Sequence, residues 1–349
     1  MKDGISVIIC CFNSSKRLKP TLEHLYFQRD ISFSEWEIIV VNNASTDNTI
    51  TIATEIWNSF TGPKPPFKII SEKRQGLSLA RNAGINEANF KYVLLCDDDN
   101  WLADDYLTEA LNIMRPAPMI GALGGIGTPV FEDIEPPFFW ENQFHTLAVG
   151  PQWKEEGDIT ETREVLYGAG MVINKEAYNT LLNKFQFKFQ VSDRKGNTLL
   201  SSGDHEVCLA LKRIGYKIFY SESLRFRHYI PKRRTTISYY KKLFLSFGKS
   251  NAMLHAYNID SKSVNAVKND YRYICLRCCK NIVKTWFTLV ISGYYFGSNK
   301  YIHVDQLHFL YKNIGLLTVM ILKGNSFKQT IKENRLFHST DKRLTLIPD

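Results

Sequence analysis

Long apolar runs are missing from this chain. The longest, Trp286–Phe296 and Ile314–Leu322, fall short of the roughly 20 residues a membrane-spanning helix needs. The sequence is therefore expected not to cross a bilayer. Glycine-rich phosphate loops are missing too. Neither G-x-G-x-x-G nor G-x-x-x-x-G-K-[ST] follows the first apolar run, which argues against dinucleotide and P-loop chemistry. Cysteine is scarce and odd in number, at seven. Cys10, Cys11 and Cys96 sit inside apolar runs, and Cys275 and Cys278 form a lone C-x-x-C without the second pair a closed zinc site wants. Such usage suits a reduced, cytosolic setting. No secretory leader is expected, because the apolar run Ile5–Phe12 opens after Asp3 and leads into polar turn residues. No repeat or low-complexity segment is evident.

Hydrophobic residues make up 44% of the chain, enough for a sizeable core. The net charge of +9 is unevenly placed. Residues 1–224 hold 22 Lys/Arg against 29 Asp/Glu, and residues 225–349 hold 22 against 6. That asymmetry predicts one large domain followed by an extension in different surroundings.

The first hundred residues alternate between strand and helix patterns. "ISVIICCF" (5–12), "WEIIVV" (36–41), "FKII" (67–70) and "YVLLC" (92–96) read as buried strands. Leu18, Leu22 and Leu25, then Ile52, Ile56 and Phe60, mark helix faces, and "LSLARNAGINEA" (77–88) reads as a third helix. "NASTDNT" (43–49) supplies turn and N-cap residues, and Pro63, Pro65 and Pro66 end the second helix. The alternation predicts an α/β protein with a mostly parallel sheet flanked by helices. Ligands of such sheets bind beyond the carboxyl ends of the strands. Asn13, Asn42, Asn43 and Asp97–Asp99 fall at those ends.

Three consecutive aspartates at a strand end are costly, at about 1 kcal/mol per close pair even in water. A divalent cation turns that repulsion into attraction, and oxygen ligands suit Mg²⁺ or Mn²⁺. The alternative is a solvated turn ahead of a helix, with Asp104 and Asp105 favouring its N-terminus.

The order "ISVIICCFN", "IIVVNNASTDNT", "RQGLSLARNAGI", "YVLLCDDDNW" resembles the nucleotide-binding half of the family 2 glycosyltransferases, which have the GT-A fold. The resemblance covers roughly residues 4–230. It implies an inverting enzyme of the bacterial surface-polysaccharide type that takes a sugar from a nucleotide diphosphate, with a UDP-sugar as the leading expectation. It implies that Asp97 and Asp98 lie against the donor, and that Asp97 and Asp99 hold Mn²⁺ or Mg²⁺. By the same resemblance Phe12 flanks the base, Asn43 faces the base edge, and Arg81 lies near base or phosphate. Two positions depart from the family pattern. Asn42 stands where an aspartate is common, and Asn100 stands where a fourth acidic residue is common.

The second half is expected to supply the acceptor side. Gly168 and Gly170 interrupt an apolar run; they either let backbone approach a substrate or mark a bulge. The resemblance favours acceptor binding. Leu209, Ala210 and Ile214 fit a helix face, with Asp204 near its N-cap. Gly203-Asp204-His205-Glu206 matches the family's base motif, which makes Asp204 the catalytic base and lets Glu206 hold the acceptor. A capping role for Asp204 is compatible with this. Some metal-dependent members carry a histidine ligand where His228 falls, after a short strand; His205 and His145 are weaker candidates. Arg81 or a residue of 232–234 can add positive charge.

From about Thr236 the chain reads as basic helices. Ile237, Tyr240, Leu243, Phe244 and Phe247 form one apolar face; Val264, Val267, Tyr271, Ile274, Cys278 and Ile282 form another. Such faces with cationic flanks either lie on a membrane surface or cover the domain or a second copy. The expected division is a catalytic domain over 1–232, with a donor half (1–115) and an acceptor half (116–232), and a basic helical extension over 233–349. The acceptor is expected to be a glycan or a polyprenyl-linked sugar, at the inner face of the plasma membrane. Rival readings are a sugar nucleotidyltransferase, which should carry a glycine-rich basic loop that "CCFNSSKRLK" lacks, and a non-catalytic glycan- or nucleic-acid-binding protein. Nucleic acid is not expected, because the tail's aromatics lie at helix-face spacing.

Overall fold

The computed structural model describes residues 1–132, 136–137, 140, 143–189, 194, 199–254, 264–295 and 300–322. Strand β1 (Lys2–Cys11) is central, with β2 (Trp36–Asn42) on one side and β4 (Phe90–Asp97) on the other, both parallel to it, and β3 (Phe67–Ser71) parallel to β2. Successive side chains of a strand face opposite sides. Accordingly Val7 and Ile9 join one core with Ile38 and Val40, while Ile8 joins a second core with Ile39 and Val41. The first core is covered by α1 (Leu18–Tyr26), α2 (Thr49–Ser59) and α4 (Tyr106–Met114). The second is covered by α3 (Leu77–Glu87), α5 (Lys175–Asn179) and α6 (Gly203–Arg213).

Beyond β4 the sheet becomes mixed. Its order is β3-β2-β1-β4-β8-β6-β9-β5, and β7 (Gly157–Asp158) pairs with β9. Strand β8 (Met171–Asn174) runs antiparallel to both β4 and β6 (Ile120–Phe131), and β9 (Lys217–Ile230) is parallel to β6. Three-residue β5 (Asn100–Leu102) follows the aspartates directly and pairs antiparallel with β9.

One expected helix face is rotated. In α2 the buried residues are Thr49, Ala53 and Trp57, whereas Ile52 and Ile56, with Phe60 just past the helix, are half-buried. Two i, i+4 rows run side by side in this segment, and the core takes the row with the indole, where Trp57 stacks on Phe67.

The extension forms three helices, α7 (Ile237–Leu254), α8 (Val264–Tyr295) and α9 (Lys300–Leu322). Tyr240, Leu243 and Phe244 of α7 pack on Trp140, Leu147, Val149 and Ile230, so the expected α7 face holds except at exposed Ile237. Helices α7 and α9 cross closely, because a Cβ at Gly248 would overlap the Lys312 carbonyl and one at Gly315 the Leu245 carbonyl. Of the expected α8 face, Ile274 and Cys278 are buried against α7 and α9, and Ile282 is half-buried. The side chains of Val264, Val267 and Tyr271 lie outside the described residues. Cys278 of the C-x-x-C pair is thus a core residue, and its partner Cys275 packs at the edge of the same cluster. Among the described residues no helix is long and apolar enough to cross a membrane.

Candidate donor and transfer site

Strand register sets one rim of the site. Cys11 pairs with Asn42, and Cys10 with Asp97, so the carboxyl ends of β1, β2 and β4 finish together. Phe12 follows β1 and is 36% exposed there. The loops beyond β1 and β2 are tied to each other, since Asn13 Oδ1 accepts from the Thr46 amide at 2.8 Å. Asn42 closes its own turn by accepting from the Ser45 amide at 3.3 Å.

Asn43 acts one step back from the rim. It is buried, and its amide nitrogen donates to the carbonyls of Glu72 (3.2 Å) and Arg74 (2.8 Å), while its Oδ1 accepts from the Gly76 amide at 2.8 Å. Both amide hydrogens are therefore committed to the β3–α3 loop, and the side chain is placed to hold that loop. Asn43→Ala is expected to weaken donor binding about tenfold, since each lost buried bond costs about 1 kcal/mol. Calorimetric titration checks this, with a melting curve as the control for folding.

The three aspartates have three different surroundings. Asp97 is partly exposed and its Oδ1 lies 3.8 Å from Arg81 Nη2. Asp98 turns inward, away from the rim. Its carboxylate accepts from Ser14 Oγ and from Arg17, whose Nε and Nη2 lie at 2.8 and 2.7 Å, and its own carbonyl accepts from Thr21. Burial pushes the Asp98 carboxyl up, and Arg17 pulls it back. Asp98 therefore anchors α1 to the end of β4.

Asp99 faces the other way, toward β9. The β5–β9 pairing sets Asn100 opposite His228, and the Tyr229 amide donates to the Asp99 carbonyl at 2.9 Å. His228 lies within a 14-residue strand, not after a short one. Its Nε2 is 3.4 Å from Asp99 Oδ1. Arg234, from the turn Lys232–Arg234, brings its Nη1 to 3.2 Å from Asp99 Oδ2 and 3.3 Å from His228 Nε2. Burial alone would raise the Asp99 carboxyl; the adjoining His228 and Arg234 outweigh it and hold it well below the ordinary range. Arg234 is itself buried and is backed by Tyr239, whose phenol it pulls down against the opposing effect of burial. Lys232 and Arg233 are exposed, so Arg234 is the cation of that segment that reaches the rim. Fully buried Asn100 accepts from the Asp97 amide at 3.1 Å and directs its Nδ2 toward Asp99 Oδ1 at 3.5 Å. An amide can serve both; a fourth carboxylate there would repel Asp99.

The Asp99–His228 pair fits a divalent ion. Adjacent ligands on an ion with bonds of about 2.1 Å lie about 3 Å apart, close to the observed 3.4 Å. Carboxylate with imidazole suits Mn²⁺. His228 Nδ1 is buried and finds no hydrogen-bond partner among the described residues. Asp97 is directed at Arg81 instead of this pair, and Arg234 already supplies positive charge between Asp99 and His228. Consistently, no cluster of three or more His, Cys, Asp or Glu side chains that could hold a metal occurs among the described residues.

The second rim is α6 and the turn before β8. Asp204 lies in the first turn of α6, after Ser202, which has φ +90°. Its Oδ2 accepts from the Gly168 amide at 2.6 Å, and its Oδ1 from the His205 amide at 2.9 Å. Gly168 separates the two rims. A Cβ there would lie 2.7 Å from Arg81 Nη2 and 3.1 Å from Asp204 Oδ2. A side chain at 168 would have to push back the Arg81 guanidinium or the Asp204 carboxylate. Gly168→Ala is expected to lower kcat/KM about tenfold or more by displacing one of them, since small misplacements are costly; steady-state kinetics beside a melting curve check it. Gly170 has a packing role: its carbonyl accepts from Tyr106 Oη at 2.6 Å, and its Cβ position is filled by Tyr106 and Phe226. Glu206 is fully buried behind Asp204 on α6, and His145 lies on the separate turn Phe144–Leu147.

A family model described as "Glycosyl transferase family 2" matches residues 6–182. The chain belongs to that family. A poly-beta-1,6-N-acetyl-D-glucosamine synthase of Staphylococcus epidermidis is 31% identical over 124 residues, which is 35% of this chain and 28% of that protein. The chain thus matches under a third of the length of such curated relatives. Two solved structures share the GT-A architecture. TarS of S. aureus, in complex with UDP-GlcNAc, aligns over 98% of this chain and 92% of its own at a TM-score of 0.53 and 16% identity. Mannosyltransferase PcManGT of Pyrobaculum calidifontis, in complex with GDP-Man and Mn²⁺, aligns over 100% and 89% at a TM-score of 0.55 and 14% identity.

Proposed function

We propose that this chain is a metal-dependent, inverting glycosyltransferase that moves a sugar from a nucleotide-diphosphate sugar, a UDP-sugar first among candidates, to a hydroxyl of a glycan or polyprenyl-linked acceptor. The observation that carries the reading is the Gly168 junction, where Arg81 on the Asp97 side and Asp204 on the α6 side meet across one glycine. A group bound beyond β4 lies within reach of a carboxylate base. Asp99 and His228, with Asp97 turning from Arg81, would hold Mn²⁺ or Mg²⁺, which supplies charge neutralisation for the departing diphosphate. Arg81 and Arg234 add fixed positive charge on the same side. Phe12 offers an aromatic face to the base, and Asn43 keeps the 72–76 loop beside it.

Asp204 takes the proton from the acceptor hydroxyl as the oxygen attacks the anomeric carbon. The new carbon–oxygen bond forms as the bond to the diphosphate breaks, and the electron pair leaves with the diphosphate. A single carboxylate base and attack opposite the leaving group give inversion without a covalent intermediate. Membership of the family disfavours the nucleotidyltransferase and nucleic-acid readings. A polysaccharide-assembly role at the cytoplasmic membrane surface, residues 1–232 as the catalytic part and 233–349 as the extension complete the reading.

A thermal-shift screen of UDP-, GDP-, CMP- and dTDP-sugars with and without Mn²⁺ tests it. One nucleotide class should stabilise the chain in a metal-dependent way. No shift from any class at millimolar ligand would overturn the proposal.

A further inference from the structure

Helix α8 presents one face that the rest of the described chain leaves uncovered. Leu276, Val283, Trp286, Phe287 and Val290 lie on the side opposite Ile274, Cys278 and Thr285, which are buried toward α7 and α9. Leu276 is 70% exposed and Trp286 59%. Isolated exposed apolar residues are ordinary, but a continuous row of them marks an interaction surface. Arg272, Arg277, Lys280 and Lys284 flank the row and are exposed, and no acidic residue occurs between Arg272 and Ile291.

We propose that this face of α8 docks the protein on an anionic lipid bilayer, with the apolar row in the headgroup boundary and the four cations on the lipid phosphates. Charge selects this occupant over the others. A second copy would bring the same four cations against these. The stretch 323–349 carries six Lys/Arg and three Asp/Glu, so it is also net positive. An acidic polymer would satisfy the cations but leave Leu276, Val283 and Val290 against water. Bilayers with anionic headgroups satisfy both parts, and this pairing of an apolar face with a basic flank is what interfacial helices use. The inference rests on the membrane-surface part of the proposed function and names the residues that carry it.

Cosedimentation of the full chain with vesicles of phosphatidylcholine alone, or with about a third phosphatidylglycerol, tests it without any substrate. Binding should appear with the anionic vesicles, weaken steeply with salt, and fall about tenfold or more in Lys280→Gln/Lys284→Gln and in Trp286→Gln/Phe287→Gln. These side chains are exposed, so melting temperatures and sugar-nucleotide binding should stay at the wild-type level. Equal sedimentation with both vesicle types, or unchanged binding by both double variants, overturns the proposal. So does a concentration-dependent dimer that Trp286→Gln/Phe287→Gln dissolves. Absence of vesicle binding by the unaltered chain with its donor binding intact refutes this inference alone; absence of donor binding by the unaltered chain refutes the proposed transfer function.

Discussion

Asp204→Asn is expected to lower the rate of sugar transfer by about 10²- to 10⁴-fold, the span that a positioned general base contributes, while donor affinity changes little. The separation follows from geometry. Asp204 touches the Gly168 amide and its own helix turn, whereas the carboxylates expected to hold donor and metal come from β4 and face Arg81, His228 and Arg234. Asparagine keeps an oxygen for the Gly168 amide, so folding should be preserved; what is lost is the ability to accept a proton. Single-turnover transfer and calorimetric donor binding, measured on the same preparation, distinguish this from a structural defect. A capping role alone would instead leave both the rate and the melting temperature nearly intact, because asparagine caps a helix about as well as aspartate.

Asp99→Asn carries the other large effect. A neutral amide cannot balance a divalent ion, so metal-dependent donor affinity should fall about 100-fold or more, given the several kcal/mol a metal provides at a developing charge. Metal-independent binding through Arg81 should remain. Asparagine is preferable to alanine because it keeps an oxygen to accept from buried Arg234; the Arg234 charge still loses its partner, typically at about 3–5 kcal/mol, so a melting curve is the control. Titrating donor with and without Mn²⁺ reads the effect directly. Equal affinity in the two conditions for the unaltered chain would remove the premise.

Much of the donor half was legible in the sequence, because β1 to β4 and the helices between them are local patterns of apolar periodicity closed by turn residues. The division of labour among Asp97, Asp98 and Asp99 was not legible. It depends on partners far away in sequence, with Ser14 and Arg17 drawing Asp98 inward and His228 and Arg234 claiming Asp99. Strand β5 is not legible in the sequence for the same reason. Three residues, "NWL", have no readable period, and only pairing with β9 makes them a strand. That pairing also puts His228 beside Asp99, a neighbour that only the family resemblance implied. Asn43 shows a further limit, since a loop-end asparagine looks alike in sequence whether it faces a ligand or holds the β3–α3 loop. Arg234 was one of three neighbouring cations, and its selection rests on the turn after β9 and on the packing of α7. The α8 face was legible as amphipathic, but which side the protein would cover depended on α7 and α9.

In the proposed function Asp99 and His228, at the end of the parallel strands, would hold a divalent ion that supplies charge neutralisation to the donor diphosphate. A crystal structure of the chain with a UDP-sugar and Mn²⁺, phased at the manganese edge, tests it most directly. An anomalous peak is expected within bonding distance of Asp99 and His228 and of the diphosphate oxygens, with Arg234 displaced from the histidine. A bound diphosphate with the manganese elsewhere, and Arg234 still between Asp99 and His228, would contradict it.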